Sequence, residues 1–196
     1  MNENKSNFEI ISDVIRNRRA IFPVQYSDEP IEQDVVDQIV ELANWAPTHR
    51  RTEPWRFVII SGDARERLGE FLANTYKRET SVESFNPMKQ KKINKKCLQS
   101  QYIVLICMQR DPQERVPEWE EIAAVSMAVQ NMWLACSSLG IGSYWSSPSL
   151  INFMDEFVPM NMDERCLGLF YMGNVAGDWP AGRRESMATK VRYLPA

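Results

Sequence analysis

The sequence predicts an α+β fold in which a small, mainly antiparallel sheet is surrounded by helices. Apolar residues recur at helical spacing in several segments, and other short runs of β-branched and aromatic residues are typical of strands. The chain has 196 residues, of which 44% are hydrophobic and 25% are charged. Because this is an ordinary globular composition and size, residues 1–196 are expected to form a single domain.

Two amphipathic helices are predicted near the start of the chain. The first spans residues 8–17 and the second spans about 33–45, ending before Pro47. In both segments the apolar residues recur every three or four positions, which gives each helix an apolar stripe, and in the second helix this stripe is expected to be buried.

Three strands are predicted at residues 55–60, 102–108 and 166–172. The second is almost wholly apolar, so it is expected at the centre of the sheet. A helix follows the first strand, with Asp63 and Glu66 as a capping pair. Residues 77–96 are interpreted as a polar excursion that ends in a helix.

The longest helix is predicted from about residue 118 to 139, with Gly140 and Gly142 ending it. Apolar residues cover nearly its whole circumference, which indicates burial on more than one side. In so small a chain, a partner subunit is the natural second side. The polar arm at about 174–196 has too little apolar content to pack alone, and is expected to embrace that partner.

Composition argues against several classes of function. The 23 basic and 26 acidic residues give a net charge of −3, which is unlike a general nucleic-acid binder. No apolar run approaches the ~20 residues that cross a bilayer, and no signal-peptide stretch begins the chain, so a cytoplasmic location is expected. The four cysteines are widely spaced and are expected to be buried thiols.

The single histidine, His49, argues against a His-based metal site or a Ser-His-Asp triad. Demanding chemistry is therefore expected from a bound organic cofactor. Four segments have the composition of ligand contacts, at residues 17–20, 45–55, 142–148 and 182–185. Taken alone, each also fits an ordinary helix end, surface connection, core aromatic or surface charge. The basic stretch 89–96 is interpreted as a solvated helix face, rather than a nucleic-acid patch or a clamp for nicotinamide phosphates.

In this order, with a buried helix between the second and third, the segments resemble the nitroreductase family of FMN-dependent oxidoreductases. The resemblance covers about residues 8–184 and is greatest toward the small members of the family. Its motifs are the Arg18-Arg19 pair, the Ala46-Pro47 and Pro54-Trp55 turn, Trp119-Glu120, the Gly140-Ile141-Gly142 end of the long helix, Trp145-Ser146-Ser147 and Tyr171-Met172-Gly173.

The resemblance implies a homodimer with FMN at the subunit interface and a ping-pong reaction. NADH or NADPH would reduce the flavin, and a nitroaromatic, quinone or similar electrophile would reoxidise it. No side chain is implied as a catalytic acid or base, and no metal is expected. A dehalogenase-like flavin enzyme and a non-catalytic flavin-binding regulatory or storage protein stay open as alternatives.

Carried over by position, the resemblance also implies the residues that bind FMN. Arg18 would meet the phosphate or ribityl chain and Arg19 the polar edge of the isoalloxazine. The full set is Arg18, Arg19, Ala20, Trp145, Ser146 and Ser147 from one subunit, Trp45 and His49 from the other, and Arg183 or Arg184 at the phosphate. Ala20 stands where the family often has serine, and Trp45 and Ser146 stand near positions that are often basic.

Overall fold

The computed structural model describes residues 5–194. Residues 1–4 and 195–196, the ends of the predicted domain and arm, lie outside the described residues. The α-helices are α1 (Asn7–Asn17), α2 (Gln33–Ala43), α3 (Asp63–Glu79), α4 (Pro87–Gln99) and α5 (Glu118–Ser138). The strands are β1 (Trp55–Ile60), β2 (Tyr102–Gln109), β3 (Ile141–Ser146) and β4 (Glu164–Asn174). Short 3-10 turns lie at Pro23–Gln25, His49–Arg51, Ser149–Glu156 and Met187–Thr189.

The four strands form one antiparallel sheet in the order β1-β2-β4-β3, which confirms the predicted α+β fold. The almost wholly apolar strand β2 lies inside the sheet, as predicted, and β3 forms one edge. Both faces of the sheet are covered by helices, because alternate residues of β4 pack into two separate apolar clusters. Phe170 packs with α2 and α5, whereas Leu169 packs with α3 and the turn after β3.

A buried carboxylate fixes the N-terminal end of α5 to the end of β2. Glu121 is 1% exposed, and its side chain accepts a hydrogen bond of 2.8 Å from the Asp111 backbone N–H. It also forms an ion pair of 2.7 Å with Arg110. The carboxylate is therefore compensated within the core, as a buried charge requires.

The prediction that Gly142 ends the long helix was wrong, and the strand β3 that contains it was not predicted. Gly142 lies inside β3, directly opposite Gly173 of β4. The ring of Tyr26 lies across this pair, so a Cβ on Gly142 would approach the ring to 2.9 Å and one on Gly173 would collide with it. The Tyr26 hydroxyl lies 2.8 Å from the carbonyl oxygen of Ile21. The two glycines thus make a slot for an aromatic ring within the sheet.

The interpretation of residues 77–96 as a polar excursion was also wrong, although the helix expected at its end is present as α4. Helix α3 continues to Glu79, and α4 begins at Pro87, where the Asn86 side chain accepts hydrogen bonds from the first turn. The predicted capping by Asp63 does not occur, because Gly62 is the N-cap and Asp63 is already helical. Helices α3 and α4 form a hairpin on one face of the sheet. None of the helices in residues 5–194 combines the length and apolar composition needed to cross a membrane.

Candidate functional site

The first part of the site is a cluster of arginines beside the end of α1. Arg18 is the C-cap residue of α1, and its guanidinium carbon lies 4.4 Å from the centroid of a Trp133 ring on α5. Burial and the nearby charges of Arg184 and Arg19 lower the pKa of Arg18. Among residues 5–194, no carboxylate oxygen lies within 4.0 Å of these three guanidinium groups. The cluster is therefore suited to an external anion.

Arg19 is bound mainly to backbone. Its Nε donates to the Pro180 carbonyl at 3.0 Å, and its Nη1 lies within hydrogen-bond distance of the carbonyls of Arg16 and Arg18. Gly182 lies so close that a Cβ there would collide with the Arg19 guanidinium. Arg19 thus fixes the start of the C-terminal arm beside Arg18, and little donor capacity remains for the predicted contact with a ring.

Trp133 is a member of the site that the sequence did not single out. It supports Arg18 with its ring face, and its Nε1 donates a hydrogen bond of 3.0 Å to the carbonyl of Arg19. Its ring also meets Phe170 edge to face, with centroids 5.7 Å apart. The signal in the sequence was an indole on an otherwise apolar helix face, because a buried indole N–H needs an acceptor.

The second part of the site is the end of β3. Ile21 donates its backbone N–H to the carbonyl of Ser143 at 3.1 Å, so the chain after the arginine pair runs along the free edge of β3. This brings residues 18–20 and 145–147 to the same edge of the sheet. Trp145 is half-buried and donates from its Nε1 to the Leu167 carbonyl, whereas Ser147 is exposed. The edge thus places cations beside an aromatic ring and hydroxyl groups.

The remaining predicted residues lie elsewhere on the chain. His49 contacts Glu120 at the start of α5, with 2.6 Å between His49 Nδ1 and Glu120 Oε2. Trp133 follows Glu120 by 13 positions on α5, which is about 20 Å along the axis. His49 is therefore remote from Arg18 of its own chain. Trp45 is 76% exposed and borders a groove of about 430 Å³ between α1 and α5, and Arg183 is exposed in the arm.

The loop that carries His49 has an unusual backbone. Arg50, Arg51 and Glu53 have φ values of 50°, 54° and 43°, in the left-handed region that residues other than glycine rarely adopt. The Thr48 hydroxyl accepts a hydrogen bond from the backbone N–H of Glu53 and holds the turn closed. Each such residue costs on the order of 1–3 kcal/mol, which is typical of segments whose shape serves a site.

A pocket of about 350 Å³ beside the edge was missed by the sequence analysis. It lies between α3, α4 and the turn that follows β3, and Ser146 is part of its wall. Lys89, Lys92 and Lys96 line it, although Lys89 and Lys92 are exposed to solvent, as the interpretation of this stretch as a solvated helix face expects, and Lys96 is partly buried. Their spacing of three and four positions was the available signal, since such residues share a helix face.

The chain is thus an α+β domain in which one edge of the sheet brings together arginines, an aromatic ring and hydroxyl groups. Within residues 5–194, no three His, Cys, Asp or Glu side chains are grouped so that they could hold a metal ion. The model of the Nitroreductase family matches residues 15–174. The chain therefore belongs to the nitroreductase family, and the resemblance inferred from its motifs is confirmed.

Individual relatives agree with this assignment. The chain is 31% identical over 144 residues to a Bacillus subtilis protein named "Putative NAD(P)H nitroreductase YfhC", which covers 72% of this chain and 71% of that one. Two crystal structures share the fold. A nitroreductase-like family protein from Bacillus cereus has a TM-score of 0.83 at 23% identity, with all of both chains covered. The FMN-dependent nitroreductase NfnB from Mycobacterium smegmatis, in complex with NADPH, has a TM-score of 0.76 at 14% identity, covering 96% of this chain and all of that one.

Proposed function

We propose that the chain is an FMN-dependent oxidoreductase that takes electrons from NADH or NADPH and passes them to nitroaromatics, quinones or similar electrophiles. The observation that carries the proposal is the position of Arg18 against Trp133, where the charges of Arg184 and Arg19 oppose its own and no carboxylate oxygen within residues 5–194 lies within 4.0 Å of the three guanidinium groups. Because like charges held close together repel one another, the binding of an anion between them is favourable. Membership of the nitroreductase family supports FMN as the source of that anion.

The chemistry of the residues at the sheet edge fits FMN. Arg18 and Arg184 would hold the phosphate, because guanidinium groups bind phosphate oxygens through paired hydrogen bonds. Trp145, Ser146 and Ser147 would line the ring system with an aromatic face and hydroxyl groups. Ala20 offers only its backbone there. When bound, FMN supplies the hydride and electron transfer, for which amino-acid side chains have no equivalent.

The proposed enzyme is a homodimer, and its interface is the face formed by α1, the end of α2 and α5. In the described part of the chain no residue of α1 is buried, although α1 carries an apolar stripe. Phe8, Ile11 and Trp45 are exposed by 76%, 54% and 76%. Exposed apolar patches of this kind mark interaction surfaces. A second copy would cover them.

The same dimer explains the positions of His49 and Trp45. Since His49 lies about 20 Å from Arg18 along α5 of its own chain, it reaches a flavin at this edge only from the partner. Trp45 lies on the exposed apolar face and would approach from the partner in the same way. The arm beyond Gly182 exposes Tyr193 and Leu194 almost fully, which supports its exchange between subunits.

The test is the absorption spectrum of the purified protein, with the released cofactor identified by chromatography. We expect flavin bands, FMN as the released compound, and anaerobic bleaching by NADH or NADPH. Light scattering on the same sample is expected to give twice the chain mass. A colourless protein that takes up no added FMN would refute the proposal. FMN that binds but is not reduced would favour the non-catalytic flavin-binding alternative.

A further inference from the structure

Helix α4 places a row of positive charges along the pocket beside Ser146, where Lys89 and Lys92 are exposed to solvent and Lys96 is partly buried. Lys89, Lys92 and Lys96 line this pocket of about 350 Å³ and follow one another over about 10 Å of the helix. No carboxylate oxygen lies within 4.0 Å of their ammonium groups in the part of the chain described. The one acidic residue of the described lining, Glu79, is paired with Arg78 at 2.6 Å. The pocket therefore carries an excess of positive charge.

The rest of the pocket is apolar and aromatic. Leu72 and Leu169 form part of its wall and are almost fully buried, and Tyr76 and Tyr171 add aromatic rings. The Lys89 ammonium lies 4.9 Å from the centroid of the Tyr76 ring. Such walls suit a flat apolar body, and the ammonium row suits a negative substituent on it. The volume accommodates a single ring with its substituents rather than a whole dinucleotide.

The pocket also adjoins the proposed flavin site. Ser146 lines the pocket and ends β3, and its neighbours Trp145 and Ser147 belong to the segment proposed to line the ring system. We propose that this pocket binds aromatic electron acceptors that carry a carboxylate, with Lys89 and Lys92 holding that group. The inference rests on the proposed function, and it makes anionic aromatic compounds the preferred acceptors.

The first test compares 4-nitrobenzoate with 4-nitrobenzamide, which has nearly the same shape but no charge. The wild-type protein is expected to favour the anion by about tenfold in kcat/KM, since charge-assisted hydrogen bonds carry the difference. A Lys89→Met and Lys92→Met double variant is expected to lose most of this preference through a higher KM for nitrobenzoate. Its kcat and its KM for the nicotinamide donor are expected to stay the same.

The matched control is a Lys91→Met and Lys95→Met double variant. These lysines lie on the same helix, and replacing them removes the same amount of charge. They line the outer surface near Glu70 and Asn74 rather than the pocket. The control is expected to keep the preference. Equal losses in both variants would overturn the proposal, because they would reflect net charge alone. A rise in the KM for NADH or NADPH, or loss of FMN, in the pocket variant alone would overturn it as well, by assigning the lysines to the donor or the cofactor.

A second test needs no turnover. Benzoate is titrated calorimetrically into the protein as purified, and the pocket variant is expected to bind it about 5- to 10-fold more weakly than the outer-face variant does. Identical binding by both variants, or none by the wild-type protein, would contradict the proposal. Because this measurement does not depend on electron transfer, it separates failure of the pocket from failure of the proposed function.

Discussion

Replacing Arg18 by alanine is expected to weaken FMN binding while leaving the protein without FMN about as stable as before. The guanidinium is half-buried against Trp133, and Arg19 and Arg184 oppose its charge. A hydrogen bond to a charged group contributes about 1.5–3 kcal/mol. Since each 1.4 kcal/mol is a factor of ten, the dissociation constant of FMN is expected to rise about 10- to 150-fold.

The stability of the protein without FMN responds to two opposing changes. The variant loses the contact of Arg18 with the Trp133 ring, which at a partly exposed site contributes about 0.5–1 kcal/mol. It also relieves the repulsion between Arg18 and the neighbouring guanidinium groups. The two effects nearly offset each other, so the melting temperature is expected to change little.

The assay is a titration of FMN into the FMN-free protein, followed by quenching of flavin fluorescence, with melting curves recorded in parallel. The matched control is Arg16→Ala, because Arg16 is an exposed arginine two residues earlier on the same helix. The control is expected to bind FMN like the wild-type protein. Unchanged affinity in Arg18→Ala would refute the reasoning, and so would a loss of affinity that merely follows a lower melting temperature.

Three further outcomes are expected. An Ile11→Asp variant should dissociate the dimer at least about 100-fold more readily, since each copy loses about 1.5 kcal/mol or more of apolar burial; an unchanged mass by light scattering would contradict the proposed interface. The thiols should resist Ellman's reagent at pH 8 until the protein is unfolded, because burial raises the pKa of Cys97 and Cys136 to about 12 and all four cysteines are buried; fast labelling of the folded protein would be the contrary result. Arg115 holds the pKa of Asp111 at about 2, below its ordinary 3.8, so the stabilisation by this carboxylate is present above pH 3.8 and is lost as the pH falls through about 2. Asp111→Asn should therefore lower the melting temperature at pH 7, and the melting temperature of the variant should fall less on acidification than that of the wild-type protein. If the two melting temperatures instead fall by the same amount down to pH 2, the pair contributes nothing.

The parts of the fold that could be predicted are those with a strong repeat of apolar residues. Helices α1, α2 and α5 and strands β1, β2 and β4 were placed to within a few residues. Strand β3 was missed because Gly142 looks like a breaker when only its neighbours in sequence are considered. Its conformation is decided by Tyr26, more than a hundred residues earlier, whose ring occupies the space that a side chain would fill. Tertiary packing of this kind has no local signature.

The candidate site, like the fold, has parts that the sequence predicted and parts that it did not. The arginine pair alone also fits an ordinary helix end, and it was found because guanidinium groups suit an anion and because the four segments together resemble the family. The lysine pocket was missed because a lysine-rich helix usually faces water, as Lys89 and Lys92 do, and only the position of α3 and β4 shows that these lysines also border a pocket. The role of Trp133 required knowing which backbone carbonyl its indole meets, and that carbonyl belongs to Arg19.

The slot that holds Tyr26 has a consequence for how an anion enters the site. The segment after the arginine pair is tied to β4 by the Tyr26 ring and by backbone bonds from Ser27 to Asn174 and from Ala176 to Gln25. Arg18 could move away only if the Tyr26 ring left its slot and these backbone hydrogen bonds broke at the same time. The cations are thus preorganised before any ligand arrives, and an incoming phosphate is spared the entropic cost of ordering the chain that receives it.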